Sequence, residues 1–138
     1  MVAIDNDLFV VGGTMEKVLN RPMPFIERYN ARNDTWEEMY ATPANELERD
    51  NAGVVGFGGN MILTGGFEIP SGTVVSSVVQ YNPFNGNCES LASLNVAREG
   101  HAVFANEQSI YVIGGRNQSG VLDSVERYDV ESGKRVAN

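Results

Sequence analysis

Short apolar runs that end in a pair of glycines set the pattern of this chain. They are LFVVGG at residues 8–13, MILTGG at residues 61–66 and IYVIGG at residues 110–115. A polar loop follows each pair, and a second apolar run then ends in a tyrosine. Short runs bounded by Gly, Pro and Asn are typical of β-strands, and no stretch of the chain sustains the helical period. The pattern therefore predicts an all-β protein.

The pattern recurs at a spacing of about 50 residues, which is typical of the blades of a β-propeller. In each unit a tyrosine lies seven residues before a second landmark, in the pairs Tyr29–Trp36, Tyr81–Cys88 and Tyr128–Arg135. We predict three units, at roughly residues 1–48, 49–96 and 97–138, each a four-stranded antiparallel blade. A closed propeller has about 4–8 blades, so about two and a half to three blades predict an incomplete propeller.

The predicted propeller is open at both ends, because the chain begins at the end of one strand and stops at the start of another. Open blades expose unpaired strand edges and an apolar face. The sequence therefore predicts either a fragment whose missing blades close the propeller, or a shortened product that is stable only through self-association or other partner chains. A ring of two copies is disfavoured, since each junction would lack most of one strand and its loop.

The composition excludes several classes of partner. The formal net charge is −8, so the phosphates of a nucleic acid would be repelled. No apolar run is long enough to span a membrane, and the start of the chain lacks the features of a signal peptide. The single cysteine, Cys88, allows no internal disulfide. That usage suits a reducing compartment and predicts a cytoplasmic protein.

Residues that could support catalysis are few. His101 is the only histidine, and it forms neither a hydrolase triad nor a metal site with Cys88 alone. We interpret His101 as a structural residue of its strand. Glu46, Glu48 and Asp50 lie in a loop that also contains an arginine, which is typical of a solvated surface. We therefore predict no catalytic residue, no metal site and no cofactor.

The repeated residues are interpreted as structural landmarks. The paired glycines are expected where the backbone needs a positive φ or a close neighbour. The rings are expected to lie between neighbouring blades, with each polar tip bonded to the backbone. Replacing a buried tryptophan there by alanine would cost about 3–5 kcal/mol. An aromatic ligand cage is the less favoured alternative. The landmarks are Gly12, Gly13, Tyr29, Trp36, Gly65, Gly66, Tyr81, Gly114, Gly115 and Tyr128.

Together with the glycine pairs, the segments IERYNARNDTWEEM and SVERYDVESGK resemble the kelch repeats of animal BTB-kelch (kelch-like) proteins. AREGHAVF at residues 97–104 is similar to the start of a blade in that family, whereas Cys88 and Arg135 depart from its tryptophan. The resemblance implies four antiparallel strands in each blade. It also implies one binding face, lined by the loops that join strands two to three and four to one.

In that family the binding face commonly captures a peptide of a partner protein. The resemblance implies a protein-interaction module, most simply the substrate-binding part of an adaptor of a cullin ubiquitin ligase. The alternatives are an actin-binding cytoskeletal protein and, less favoured, a kelch-type enzyme, whose copper-oxidase form one histidine cannot supply. Arginines on the face would capture carboxylates and should lie together. The implied partner-binding residues are Thr14, Arg49, Phe67, Arg98, Arg116 and Asn117.

Overall fold

Three four-stranded antiparallel sheets make up most of the fold. The computed structural model describes residues 1–12, 26–39 and 46–129, and the backbone of residues 134–136. The strands are β1 (Val2–Ile4), β2 (Asp7–Val11), β3 (Ile26–Asn30), β4 (Thr35–Met39), β5 (Arg49–Asp50), β6 (Gly53–Phe57), β7 (Asn60–Thr64), β8 (Phe67–Glu68), β9 (Thr73–Val74), β10 (Val78–Tyr81), β11 (Cys88–Leu91), β12 (Ala102–Ala105), β13 (Ser109–Ile113), β14 (Arg116–Asn117), β15 (Gly120–Val121), β16 (Val125–Asp129) and β17 (Lys134–Val136).

Each large sheet contains four strands that follow one another in the blade order. The first has the order β1-β2-β3-β4, the second β6-β7-β10-β11 and the third β12-β13-β16-β17. The first strands of the three sheets, β1, β6 and β12, lie side by side, so the sheets fan out from them. This arrangement confirms the prediction of an all-β fold built from propeller blades. Within the described ranges the blades form no closed ring, and the predicted unit limits stay predictions.

Two apolar clusters hold the sheets together. In β7, Met61 and Leu63 enter the cluster against the first sheet, while Ile62 between them enters the cluster against the third. Both faces of this strand are buried, so its sequence is a continuous apolar run rather than an alternating one. The cluster between the first and second sheets contains Val2, Ile4, Phe9, Ile26, Leu47, Met61, Leu63 and Tyr81. The cluster between the second and third contains Ile62, Val78, Leu94, Ile110 and Val112.

The prediction that Trp36 is a core residue is wrong, because its side chain is 44% exposed. Trp36 pairs across β3 and β4 with Tyr29, and the two rings lie 5.2 Å apart. The corresponding tyrosines of the other sheets pack against the preceding sheet: Tyr81 belongs to the first cluster and Tyr128 borders the second. In the first sheet this face points away from the second, so no described element covers Trp36. Tyr29 bonds the carboxylate of Asp34, not the backbone.

The loops predicted at residues 67–73 and 116–123 are more ordered than expected. Each folds into a small antiparallel hairpin, β8 with β9 and β14 with β15. The hairpin β8–β9 gains a third strand, because β5 pairs with β8. Two-residue strands carry too little alternation to be recognised in a sequence. These hairpins follow the glycine pairs directly, and they define one end of the molecule.

Candidate binding surface at the hairpin end

The candidate site lies at the end of the sheets where β7 and β13 stop, which we call the hairpin end. It comprises the two hairpins β8–β9 and β14–β15 and two arginine segments, residues 49–51 and 98–100. The turns at residues 58–59, 82–87 and 106–108 lie at the opposite end, the turn end, because they join the far ends of the same strands. Loops at one end of a rigid scaffold are the usual place for binding residues.

In the pairs Gly65–Gly66 and Gly114–Gly115, the second glycine lets an arginine segment pass close to it. Gly66 has φ +100° and Gly115 has φ +91°, a region that other residues rarely adopt. A Cβ on Gly66 would lie 2.9 Å from the carbonyl oxygen of Asp50, and one on Gly115 would lie 2.6 Å from that of Glu99. The glycine pairs therefore bring the arginine segments and the hairpins into contact.

Arg49 is a buried structural residue. Its side chain is 3% exposed. Its Nη1 donates hydrogen bonds to the carbonyl oxygens of Gly65 (3.2 Å) and Ser77 (3.1 Å). Gly65 ends β7 and Ser77 precedes β10, so the guanidinium group ties together the two strands at the point where the hairpin β8–β9 leaves the sheet.

Arg98 occupies the same place in the third sheet and is 0% exposed. Its Nη1 donates to the carbonyl oxygens of Gly114 (2.8 Å) and Ser124 (3.0 Å), and its Nη2 donates to Ser124 Oγ (2.9 Å). Its Nη2 also lies 3.9 Å from Oε1 of the buried Glu126. That carboxylate accepts hydrogen bonds from the backbone amides of residues 95 and 96, which precede the arginine segment.

The burial of Arg49 and Arg98 corrects the expected geometry of the face. They lie at the same end as Arg116, since Glu99 next to Arg98 pairs with Arg116 through two backbone hydrogen bonds of 2.9 and 3.0 Å. Their guanidinium groups, however, point into the protein, and the Nη1 of each donates to two carbonyl oxygens. A buried donor that is already bonded has little to offer a ligand. We therefore leave both residues out of the binding surface.

A groove of about 360 Å³ lies beside the hairpin β14–β15. We call it the hairpin groove, and its walls are Asn51, Gly100, Gly115, Arg116 and Val121. Val121 is the most exposed large apolar residue of the described chain, at 90%. The side chain of Arg116 is 67% exposed, and it bonds Glu99 Oε1 through Nε at 3.2 Å. The other oxygen of Glu99 accepts from Asn51 Nδ2, also at 3.2 Å.

The remaining expected binding residues have different positions. Phe67 lies in the middle of the three-stranded sheet, paired with Asp50 and Val74, and is half-buried. Asn117 donates from Nδ2 to the carbonyl oxygen of Ala97 (2.9 Å) and accepts from the amide of Ser119 (2.8 Å), so it shapes its hairpin. Thr14 and the landmark Gly13 lie outside the described residues. Whether Phe67 and Asn117 contact a partner stays a prediction.

His101 lies between the second and third sheets, next to the hairpin end. Its Nε2 and Thr64 Oγ1 share a hydrogen bond of 2.8 Å. A Cβ at position 53 would lie 2.5 Å from Nε2, so only glycine fits beneath the ring. Burial, and then the charge of Arg98, lower the pKa of His101 from 6.5 to about 4. The imidazole is therefore neutral at pH 7 and has the structural role that the sequence suggested.

Because His101 is held neutral in the folded protein, we expect acid to lower the stability of the fold. The unfolded chain takes up a proton at His101 below pH 6.5, whereas the folded chain resists until about pH 4. Stability should therefore fall as the pH drops from 6.5 to 4. We expect His101 to account for a loss of about 1–2 kcal/mol in the free energy of unfolding. This loss is smaller than the whole pKa difference implies, because solvent screens a half-buried ring.

Urea unfolding at pH 7.5, 5.5 and 4.5, followed by circular dichroism, measures this loss. The variant His101→Gln keeps a polar group beside Thr64 and has no proton to gain. The wild type should lose more stability than the variant over this range. Equal losses in the two proteins would contradict the assignment.

The other reactive groups in the described ranges show no catalytic arrangement. Cys88 Sγ donates to Glu46 Oε2 at 3.3 Å, and burial, followed by that bond, raises the pKa of Cys88 to about 11. A thiol with such a pKa is a poor nucleophile at neutral pH. Among the residues that the structure describes, no group of His, Cys, Asp and Glu could hold a metal ion. The same residues include no helix long and apolar enough to cross a membrane.

Comparison with known proteins places these features in a family context. The family model described as "Kelch motif" matches residues 1–39 and 97–136. Kelch-like protein 36 of Bos taurus is 27% identical over 130 residues, which are 94% of this chain and 20% of that protein. Kelch repeat and BTB domain-containing protein 13 of Homo sapiens is 32% identical over 100 residues, 72% of this chain and 22% of that protein. The chain spans about a fifth of the length of these relatives.

Proposed function

Since this chain belongs to the kelch-repeat family, we propose that it is a protein-interaction module whose binding surface is the hairpin end. One observation carries the proposal. Two hairpins leave neighbouring sheets at the same end, and the groove beside one of them exposes Val121 and Arg116 to solvent. An exposed apolar residue beside a polar groove, held on a rigid sheet, is a common form of protein-binding site.

We further propose that this surface recruits the substrate of a BTB-kelch-type adaptor of a cullin ubiquitin ligase, acting in the cytoplasm without catalysis. The support is the similarity to a relative whose name includes a BTB domain. The half-buried, protonated thiol of Cys88 suits a reducing compartment. Actin binding is the alternative, and the experiment below separates the two. The chain spans about a fifth of the length of these relatives, so it would supply only the substrate-binding part of such an adaptor.

Affinity capture from cell extract tests the surface with two matched variants. The first changes exposed apolar residues of the hairpin end: Ile69→Ser and Val121→Ser. The second changes exposed residues of the turn end, Glu107→Ala and Gln108→Ala. We expect partners of the wild type to be kept by the turn-end variant and reduced at least about tenfold with the hairpin-end variant, as loss of central apolar contacts implies.

The identity of the captured proteins decides between the two roles. Ubiquitin-ligase substrates that reappear with the turn-end variant support the adaptor role, and co-sedimentation with actin filaments supports the alternative. If the hairpin-end variant captures the same proteins as the wild type, the proposed surface is wrong. Circular dichroism of both variants ensures that a loss of binding is not a loss of fold.

A further inference from the structure

We propose that the hairpin groove binds an extended protein segment rich in arginine or lysine, and not the acidic segment that the arginines of the sequence suggest. This inference rests on the proposed function, since it names the chemistry of the partner at the same surface. Some charges at the hairpin end are accessible to a ligand, whereas others are buried in the protein. The inference follows from this difference.

The positive charges of the hairpin end are largely withdrawn from solvent. Arg49 and Arg98 are 3% and 0% exposed, and their Nη groups donate to backbone carbonyls. Of the arginines described at this end, Arg116 is the exposed one, and it is paired with Glu99. An incoming carboxylate would meet one guanidinium group that already has an anionic partner. The electrostatic attraction between an acidic peptide and this surface is therefore weak.

The negative charges at the same end are more numerous and closer to solvent. Asp50, Glu68 and Glu99 belong to the segments of the hairpin end and are partly exposed, whereas Glu48 and the exposed Asp123 lie one or two residues beyond them. Charges of one sign around a groove raise the local concentration of a partner of the opposite sign. The carboxylates are those of Glu48, Asp50, Glu68, Glu99 and Asp123.

Glu99 is the residue that an incoming cation would reach in the groove. Its side chain is 14% exposed, and its two oxygens are held by Asn51 and Arg116, which are walls of the groove. The contact with Arg116 is a single Nε bond of 3.2 Å from a side chain that is 67% exposed. Because the arginine of this pair is exposed, its attraction to Glu99 is screened by solvent, and a guanidinium group of the partner can replace Arg116 on Glu99. Arg116 then acts as a competitor for the partner, and its removal should strengthen binding.

Val121 gives the site its apolar contact. It stands on the wall of the groove with 90% of its surface exposed, close to Arg116 in the register of β14 and β15. A partner residue with an aliphatic stem, as arginine and lysine have, can cover Val121 and still bring its charge to Glu99. The site therefore favours long basic side chains over short or acidic ones.

The test uses two fluorescein-labelled nonapeptides, one with three arginines separated by glycine, serine and valine, the other with glutamates in place of the arginines. Fluorescence anisotropy with the full chain measures each affinity. We expect the arginine peptide alone to bind, with Glu99→Gln weakening it about fivefold and Arg116→Ala tightening it about threefold. Glu107→Gln, which removes a carboxylate at the turn end, should leave the affinity unchanged and serves as the matched control.

Four outcomes would overturn the inference. Tighter binding of the glutamate peptide than of the arginine peptide would support an acidic partner instead. Weaker binding of the arginine peptide to Arg116→Ala would support an acidic partner in the same way. Equal losses with Glu99→Gln and Glu107→Gln would show attraction to overall charge without a site. Binding of neither peptide below about 1 mM would also reject it. The proposed function fails separately, when the hairpin-end variant keeps its captured proteins.

Discussion

Replacing Arg98 by methionine will cost about 3–5 kcal/mol of folding free energy, because it breaks a buried charge pair by removing one partner. Methionine fills similar space, so the loss comes from polar groups. The carbonyl oxygen of Gly114 loses its bond from Arg98, that of Ser124 keeps only the backbone amide of Gly114, and the buried carboxylate of Glu126 loses its nearby positive charge. A domain of this size has about 5–15 kcal/mol of stability in total, so a large share would be lost.

Urea unfolding of the Arg98→Met variant measures this effect, with Arg116→Met as the control. Arg116 differs in being exposed and paired only at the surface, so its replacement should change the stability by less than about 1 kcal/mol. If the two variants lose equal stability, Arg98 does not have the structural role assigned to it.

The second large effect is expected at Phe9, for which replacement by alanine should cost about 3–5 kcal/mol. Phe9 is 0% exposed, lies in the cluster between the first two sheets and meets the ring of Phe84 edge-on, with ring centres 5.9 Å apart. Trp36 is the larger ring but is 44% exposed, so Trp36→Ala should cost only about 1 kcal/mol.

Thermal and urea unfolding of these two variants will rank the aromatic residues. The order matters because the sequence alone favours Trp36 as the more costly loss, whereas the structure favours Phe9. A larger loss for Trp36→Ala would mean that another element covers the outer face of the first sheet.

The strands were predictable because their signal is local. The runs before the glycine pairs became β2, β7 and β13. Which face of a strand is covered is a different question, since it depends on the neighbouring sheet. Tyr29 and Tyr81 occupy equivalent positions, yet Tyr81 is buried and Tyr29 is only half-buried.

The candidate site was only partly predictable, because a buried and an exposed arginine look alike in a sequence. A guanidinium group that binds carbonyl oxygens and one that binds a carboxylate of a partner use the same donors. The sequence did contain a useful signal. Arg49 precedes Gly65, and Arg98 precedes Gly114, by the same 16 residues. A residue that keeps a fixed distance from a structural glycine belongs to the repeat itself, whereas binding residues are free to differ between repeats.

The central claim is that the structural arginines and the binding residues of the hairpin end are separate groups of residues. Arg49 and Arg98 fix the hairpins to their sheets from within, and the exposed residues of the hairpin end are left to meet a partner. Amide hydrogen exchange of the full chain, alone and with the strongest captured partner, tests this claim most directly. We predict slower exchange on binding at residues 67–74, 99–100 and 115–122, and no change at residues 82–87 and 106–108. Protection confined to the turn end would contradict the account.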